Sequence, residues 1–449
     1  MENTEMKKII DRQRTFFQTG MTLDVSFRIA ALKRLQHMIR RHEKEIEAAL
    51  LLDLKKSSFE SYMCETGLVL DEIRYMLRHI RSFAKEQNVR TPLAQFCSRS
   101  YRKPSPYGVT LIVSPWNYPI LLTLDPLIDA IAAGNTVILK PSAYSPACSD
   151  LLAKLIHRYF PAKYLTVITG GRSENTVLLQ QHFDYIFFTG SKTVGREVMR
   201  QASSHLTPVT LELGGKSANI FFDDCKWDMA LDGLQLGILF NQGQVCCAGS
   251  RVFVQEGIYD KFVEAAVKAF NHVKVGLPWE QDTQMGSQIN EGQLKKILSY
   301  IDIAKSEGAT IACGGERCTE GELAKGAFMK PTLITNVTND MRVAQEEIFG
   351  PVLPVLTYET LEEAVSFVRE REKPLALYLF TRSRETENLP CLSIRLSSRG
   401  WRWRGLSTCS GSAPACTRCR SCGRRTGPWR SRPACRPCAG TSSPATATS

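Results

Sequence analysis

No run of apolar residues in this 449-residue chain is long enough to cross a bilayer, which excludes a membrane-spanning helix. The stretch Met1 to Lys8 lacks the apolar core of a secretory signal, so a cytoplasmic location is expected. From Cys391 to Ser449 there is no Lys, Asp or Glu. The 11 Arg of that segment account for all but +1 of the net charge of +12. Residues 1–390 are therefore nearly neutral, and neither a nucleic acid nor a membrane surface is an expected partner. Framework cysteine spacing is also missing. Of 15 cysteines, 7 lie after residue 390, and the others are scattered as reduced thiols would be. No internal repeat is present.

What is there reads as a soluble α/β protein of two or three domains. Residues 23–53 carry apolar side chains at Leu32, Leu35, Ile39, Ile46 and Leu50, a helical spacing, with a mixed charged face between them. A second helix is expected over 65–84. The pattern then changes to short apolar, β-branched runs at 109–113, 136–139, 165–168 and 185–188, which suit strands buried on both faces. Helical segments separate them. One begins at Ser145-Pro146, with Ser as N-cap and Pro at the first helical position. Another begins near Lys192. This alternation predicts a doubly wound parallel sheet with its site at the carboxyl ends of the strands. A second α/β region covers 211–380.

Two segments carry candidate chemistry. Phe240-Asn241-Gln242-Gly243-Gln244-Val245-Cys246-Cys247-Ala248-Gly249 places a thiol in a glycine-flanked turn after a helix starting near Asp228, and Gly243 reads as the helix stop. Upstream, strand alternation over 210–213 turns Glu212 away from the leucines at 211 and 213, towards a cleft. A thiol attacks a carbonyl, and a carboxylate beside it activates water. An inert core thiol and a solvent-facing strand glutamate are the alternatives at this point. Phe188-Thr189-Gly190-Ser191-Lys192-Thr193-Val194-Gly195 sits where a strand meets a helix, a place for phosphate, but it is not the three-glycine dinucleotide fingerprint. Lys140, taken alone, reads as a surface lysine.

Six motifs then occur in the order found in aldehyde dehydrogenases: Pro115-Trp116-Asn117-Tyr118-Pro119, Leu139-Lys140-Pro141-Ser142, Phe188-Thr189-Gly190-Ser191, Leu211-Glu212-Leu213-Gly214-Gly215-Lys216, Gly243-Gln244-Val245-Cys246 and Glu347-Ile348-Phe349-Gly350-Pro351. Over residues 10–388 the chain resembles that family, and its early part the shorter, class-3-like members. The resemblance implies a Rossmann-like cofactor domain over 1–210 and a catalytic domain over 211–388. It implies Cys246 as nucleophile beside a non-catalytic Cys247, Glu212 as general base, and Asn117 as an oxyanion donor together with the Cys246 backbone N–H. It implies cofactor contacts at Trp116, Lys140, Gly190, Ser191, Gly195, Glu347 and Phe349, with NAD or NADP as cofactor, a small-molecule aldehyde as substrate and no metal. The glutamate points to hydrolytic release of a carboxylic acid rather than transfer to phosphate or coenzyme A.

Two departures stand out. Three residues after Lys140 the family often has a glutamate that binds both ribose hydroxyls, whereas here the position is Ala143. Without that carboxylate a 2′-phosphate meets no repulsion, so NADP is expected beside NAD. The second departure is the segment 389–449, where the family's glycine-rich segment and oligomerisation arm are not recognisable. Among its 59 residues from Cys391, only Leu392, Ile394, Leu396 and Leu406 are Leu, Ile, Val, Phe, Met or Tyr, so a disordered tail is expected. Its composition resembles a GC-rich gene translated out of frame. A homodimer follows from the family, but through an arm not seen here, and a catalytically impaired chain is the alternative. Cys419, Cys422, Cys435 and Cys438 have near zinc-ribbon spacing, which a frame error explains together with the charge.

Overall fold

Strand residues alternate between two apolar layers, and that alternation accounts for the unbroken apolar runs. The computed structural model describes residues 3–370, 372–384 and 386. Before the sheets come α1 (Asn3–Gln18), α2 (Val25–Arg41), α3 (Glu43–Leu54), the short α4 (Ser58–Ser61) and α5 (Gly67–Phe83). A small antiparallel ribbon follows, β1 (Gln87–Asn88) with β2 (Tyr101–Arg102). The first large sheet contains β3 (Val109–Val113), β4 (Thr136–Lys140), β5 (Leu165–Val167), β6 (Tyr185–Gly190) and β7 (Val209–Leu213). Its order is β5-β4-β3-β6-β7 and every pair is parallel.

On one face, Ile112, Val137 and Leu139 pack against α2, α5, α6 (Leu121–Ala133) and α7 (Pro146–Tyr159). On the other, Val109, Leu111, Ile138 and Ile186 pack against α1, α8 (Arg172–Leu179) and α9 (Lys192–Ser203). Helices therefore cover both faces, as the sequence predicts. The second sheet joins β8 (Ser217–Phe221), β9 (Gly249–Gln255), β10 (Thr310–Cys313), β11 (Thr332–Thr335), β12 (Val352–Tyr358) and β13 (Leu377–Phe380). Its order is β10-β11-β12-β9-β8-β13, with only β10–β11 antiparallel. The two sheets meet in the chain at Gly214-Gly215-Lys216.

Two local expectations are corrected, and one helix is added. The helix read over 23–53 is two helices that break at His42. The His42 ring bonds Glu45 Oε1 at 2.6 Å and the Tyr159 hydroxyl at 3.0 Å, so a tertiary contact sets the break. Helix α1 was not read at all, although Met6, Ile10, Gln13 and Phe16 are its buried stripe at helical spacing.

Ser145 is the residue before α7, but its side chain caps nothing. The cap comes from α3. The Asp53 carboxylate accepts from the N–H of Ala147 at 3.1 Å and of Cys148 at 2.8 Å, two of the donors a helix start leaves unpaired. Asp53→Ala should destabilise the protein by ~1 kcal/mol, read as a lowered thermal midpoint. Ser145→Ala should leave that midpoint nearly unchanged.

Candidate active site

Five of the candidates lie at or just beyond the end of a parallel strand. Trp116 and Asn117 follow β3, Lys140 closes β4, Gly190 closes β6 and Glu212 lies one residue from the end of β7. Along the shared edge, Val113 pairs with Lys140 and with Phe188, and Thr189 pairs with Glu212. The carboxyl edge of the sheet thus carries the first half of the site.

The thiol loop brings the second half. Helix α10 (Trp227–Leu239) buries Ala230, Leu234, Ile238 and Leu239. It ends four residues before Gly243, earlier than expected. Asn241, Gln242 and Gly243 then adopt left-handed backbone, with φ of 48°, 56° and 74°. For residues with a side chain that conformation costs on the order of 1–2 kcal/mol each, and such strain concentrates at functional sites. A Cβ on Gly243 would collide with the backbone of Gly350, so glycine is required for space as well.

Asn117 is 3% exposed, and its Nδ2 donates to the Gln244 carbonyl at 3.0 Å, two residues before Cys246. The Asn117 carbonyl in turn accepts from Asn241 Nδ2 at 3.2 Å. From the far side, the Tyr378 hydroxyl on β13 donates to the Cys247 carbonyl at 2.7 Å. The loop is therefore held by both sheets.

The adjacent Cys247 thiol, followed by burial, raises the Cys246 thiol above the ordinary range. Cys246 in turn lowers the Cys247 thiol, with a further contribution from the Tyr378 hydroxyl. The surroundings of Cys246 thus favour its neutral form. A positive charge brought beside it would favour its thiolate.

Glu212 is exposed, as strand alternation predicts. Among the described residues it forms no hydrogen bond or ion pair with another side chain. Two residues on, a Cβ on Gly214 would collide with the Glu347 carboxylate. The Gly215 N–H donates to Glu347 Oε1 at 3.2 Å. Burial raises the Glu347 carboxyl above its usual range. Phe349 has φ 63°, its carbonyl accepts from Gln293 Nε2 at 2.8 Å, and its ring meets Trp116 edge-on at 5.4 Å.

Lys140 is not the surface lysine its sequence context alone suggests. It is 2% exposed, and Nζ donates to the Pro141 carbonyl at 2.8 Å and the Gly170 carbonyl at 2.7 Å. Burial lowers it to about 8. Gly190 has a packing reason of its own, since a Cβ there would lie 2.6 Å from the Phe188 ring. Gly195 has another, with Leu213 Cδ2 2.7 Å from where its Cβ would stand. Ser191 caps α9 by accepting from the Val194 N–H at 3.4 Å.

Asn117, the Cys246 loop, Glu347 and the Trp116–Phe349 ring pair are thus brought together, while Lys140 bonds elsewhere on the same edge. Lys56, Glu65, Asn241 and Tyr378 were not read from sequence. Among the described residues no group of three or more His, Cys, Asp or Glu could hold a metal, and the tail cysteines lie outside them.

The chain matches the aldehyde dehydrogenase family over residues 1–389, and it belongs to that family. It is an oxidoreductase acting on aldehydes. It is 40% identical over 375 residues to the 4,4′-diaponeurosporen-aldehyde dehydrogenase of Staphylococcus aureus, covering 84% of this chain and 79% of that one. It is 38% identical over 379 residues to the dimeric NADP-preferring aldehyde dehydrogenase of Canis lupus familiaris, with 84% and 81% covered. The NAD+ complex of an aldehyde dehydrogenase from Bacillus cereus superposes with a TM-score of 0.80 at 32% identity, over 87% of this chain and 79% of that one.

Proposed function

We propose that the chain oxidises an aldehyde to a carboxylic acid with NAD or NADP through an acylated Cys246, and that water releases the product. The observation that carries this reading is the bond from Asn117 Nδ2 to the Gln244 carbonyl, which holds a carboxamide beside the thiol turn.

The residues present fit a dinucleotide. The Lys140 ammonium has three protons and the two carbonyls use two. The amino end of the 12-residue α9 favours phosphate. Lys140, Gly190, Ser191 and Gly195 would hold the adenosine and phosphate side. Trp116, Glu347 and Phe349 would hold the nicotinamide side. When bound, the oxidised nicotinamide supplies a hydride acceptor.

The remaining chemistry belongs to this chain. The Cys246 thiol gives up its proton to water, Sγ forms a bond to the aldehyde carbon, and the carbonyl electrons move onto oxygen. The Asn117 carboxamide and the Cys246 backbone N–H stabilise that alkoxide. Loss of hydride leaves a thioester on Sγ. Glu212 takes a proton from water, the hydroxide adds to the carbonyl carbon, the C–S bond breaks and the acid departs.

Formation of reduced cofactor and of carboxylic acid from an aldehyde, in equal amounts, tests the reading. Acyl-phosphate or no acid at all would overturn it.

Ala143 is exposed, and one relative is named NADP-preferring while another binds NAD+. These observations support use of NAD or NADP, with NADP tolerated beside NAD. Ala143→Glu should raise KM for NADP about tenfold or more while sparing NAD, because a carboxylate would face the 2′-phosphate. Initial rates with each cofactor check this.

The two separate sheets support a cofactor domain over 1–210 and a catalytic domain over 211–388. The dimeric relative supports a homodimer, which sedimentation would test. A cytoplasmic location is consistent with the finding that no helix among the described residues is long and apolar enough to cross a membrane.

A further inference from the structure

We propose that Lys56 and Glu65 are positioning residues that fix the Asn117 carboxamide for the alkoxide. The inference rests on the reading of Asn117 given above and extends it to two residues outside every family motif described here.

The pair is buried, with side chains 4% and 0% exposed, and Lys56 Nζ lies 2.6 Å from Glu65 Oε1. Neither residue spends its charge on the other alone. Lys56 Nζ also donates to the Asn117 carbonyl at 3.0 Å and sits 4.1 Å from the centre of the Tyr118 ring. The second carboxylate oxygen, Glu65 Oε2, accepts from the Ile120 N–H at 2.8 Å and the Leu121 N–H at 3.0 Å. One ion pair therefore grips the segment 117–121 at both ends. The ammonium holds its leading carbonyl, and the carboxylate holds the amides that open α6. An anion at a helix start is favourable, so the grip on α6 is electrostatic as well as geometric.

Two costs are accepted at this place. Burying an ion pair usually contributes little or nothing to stability, and apolar residues of equal size do as well. The backbone also departs from regular helix. Residues Tyr62–Thr66 form a wide π turn, and the Gly67 N–H bonds to the Tyr62 carbonyl. A Cβ on Gly67 would lie 2.6 Å from that carbonyl oxygen. The wide turn buries Cys64, Glu65 and Thr66 together. Such bulges gather at functional sites. Both costs converge on the residue that Asn117 depends on. A donor to a developing oxyanion must be held within about 0.5 Å of its productive place, and its supporting shell does that.

A double-mutant cycle on the full chain tests the proposal. It reads kcat and KM from aldehyde-dependent cofactor reduction, and thermal midpoints alongside. Asn117→Ala should lower kcat about 10²–10³-fold. Lys56→Met should lower kcat about tenfold with KM for the cofactor unchanged, and should cost nothing further in the Asn117→Ala background. Glu65→Gln, which keeps its shape, should follow the same pattern and serves alone if Lys56→Met is unfolded at the assay temperature. Equal losses from Lys56→Met, or from Glu65→Gln in its place, in both backgrounds would overturn the positioning role while leaving the site reading intact. An unchanged kcat in Asn117→Ala would overturn the site reading itself.

Discussion

Replacing Cys246 by alanine should abolish aldehyde oxidation, with a loss of about 10⁴-fold or more, because the proposed mechanism forms its covalent bond at that sulfur. Its neighbour provides the control. Cys247→Ala should retain turnover, since the Asn117–Gln244 bond and the left-handed turn position residue 246 independently of the side chain at 247. The two variants should differ in pH dependence too. In the parent, the adjacent Cys247 thiol is the largest influence raising the Cys246 thiol. Its removal lowers that thiol towards its ordinary value, so thiolate forms at lower pH. The rising limb of kcat/KM should therefore move towards acid in Cys247→Ala. A limb that stayed in place, or moved towards alkali, would show that the thiols do not share their proton. Initial rates across pH, with mass spectrometry of the trapped acyl-enzyme, check both expectations.

Glu212→Gln should separate the two halves of the reaction. In the proposed mechanism thioester formation needs Cys246 and Asn117, whereas hydrolysis needs a base for water. The variant should give a rapid burst of about one reduced cofactor per site, followed by a steady rate lowered about 10²–10⁴-fold. An acyl adduct should accumulate on Cys246. Loss of the burst as well would assign the carboxylate to the first step. Its exposed position at the end of β7 suits the second, because the attacking water must reach it.

The first sheet was legible because β3 and β4 are buried on both faces, so the apolar run itself marks a strand. Glu212 was legible because an edge strand alternates. What escaped depended on partners distant in sequence. The break at His42 needs Tyr159, and the start of α7 needs Asp53, which no local pattern ties to them. Ser145 offered a plausible local cap, and the tertiary one replaced it. Lys140 looked like a surface residue because its partner carbonyl, that of Gly170, lies at the far end of the next βα unit. The sites of Asn117 and Cys246 were legible as motifs, but the Lys56–Glu65 grip on them was not. A loop lysine and a glutamate nine residues on look like ordinary solvated charges, whereas the structure buries both, the glutamate within the π turn.

The crowding between Gly214 and the Glu347 carboxylate ties the histories of two distant positions. Any residue but glycine at 214 would occupy the volume that the carboxylate fills. A descendant that acquires alanine at 214 must shorten or redirect the acid at 347, and one that shortens the acid opens room at 214. These positions should drift as a linked pair, and a lineage that alters one alone inherits a displaced carboxylate or a void.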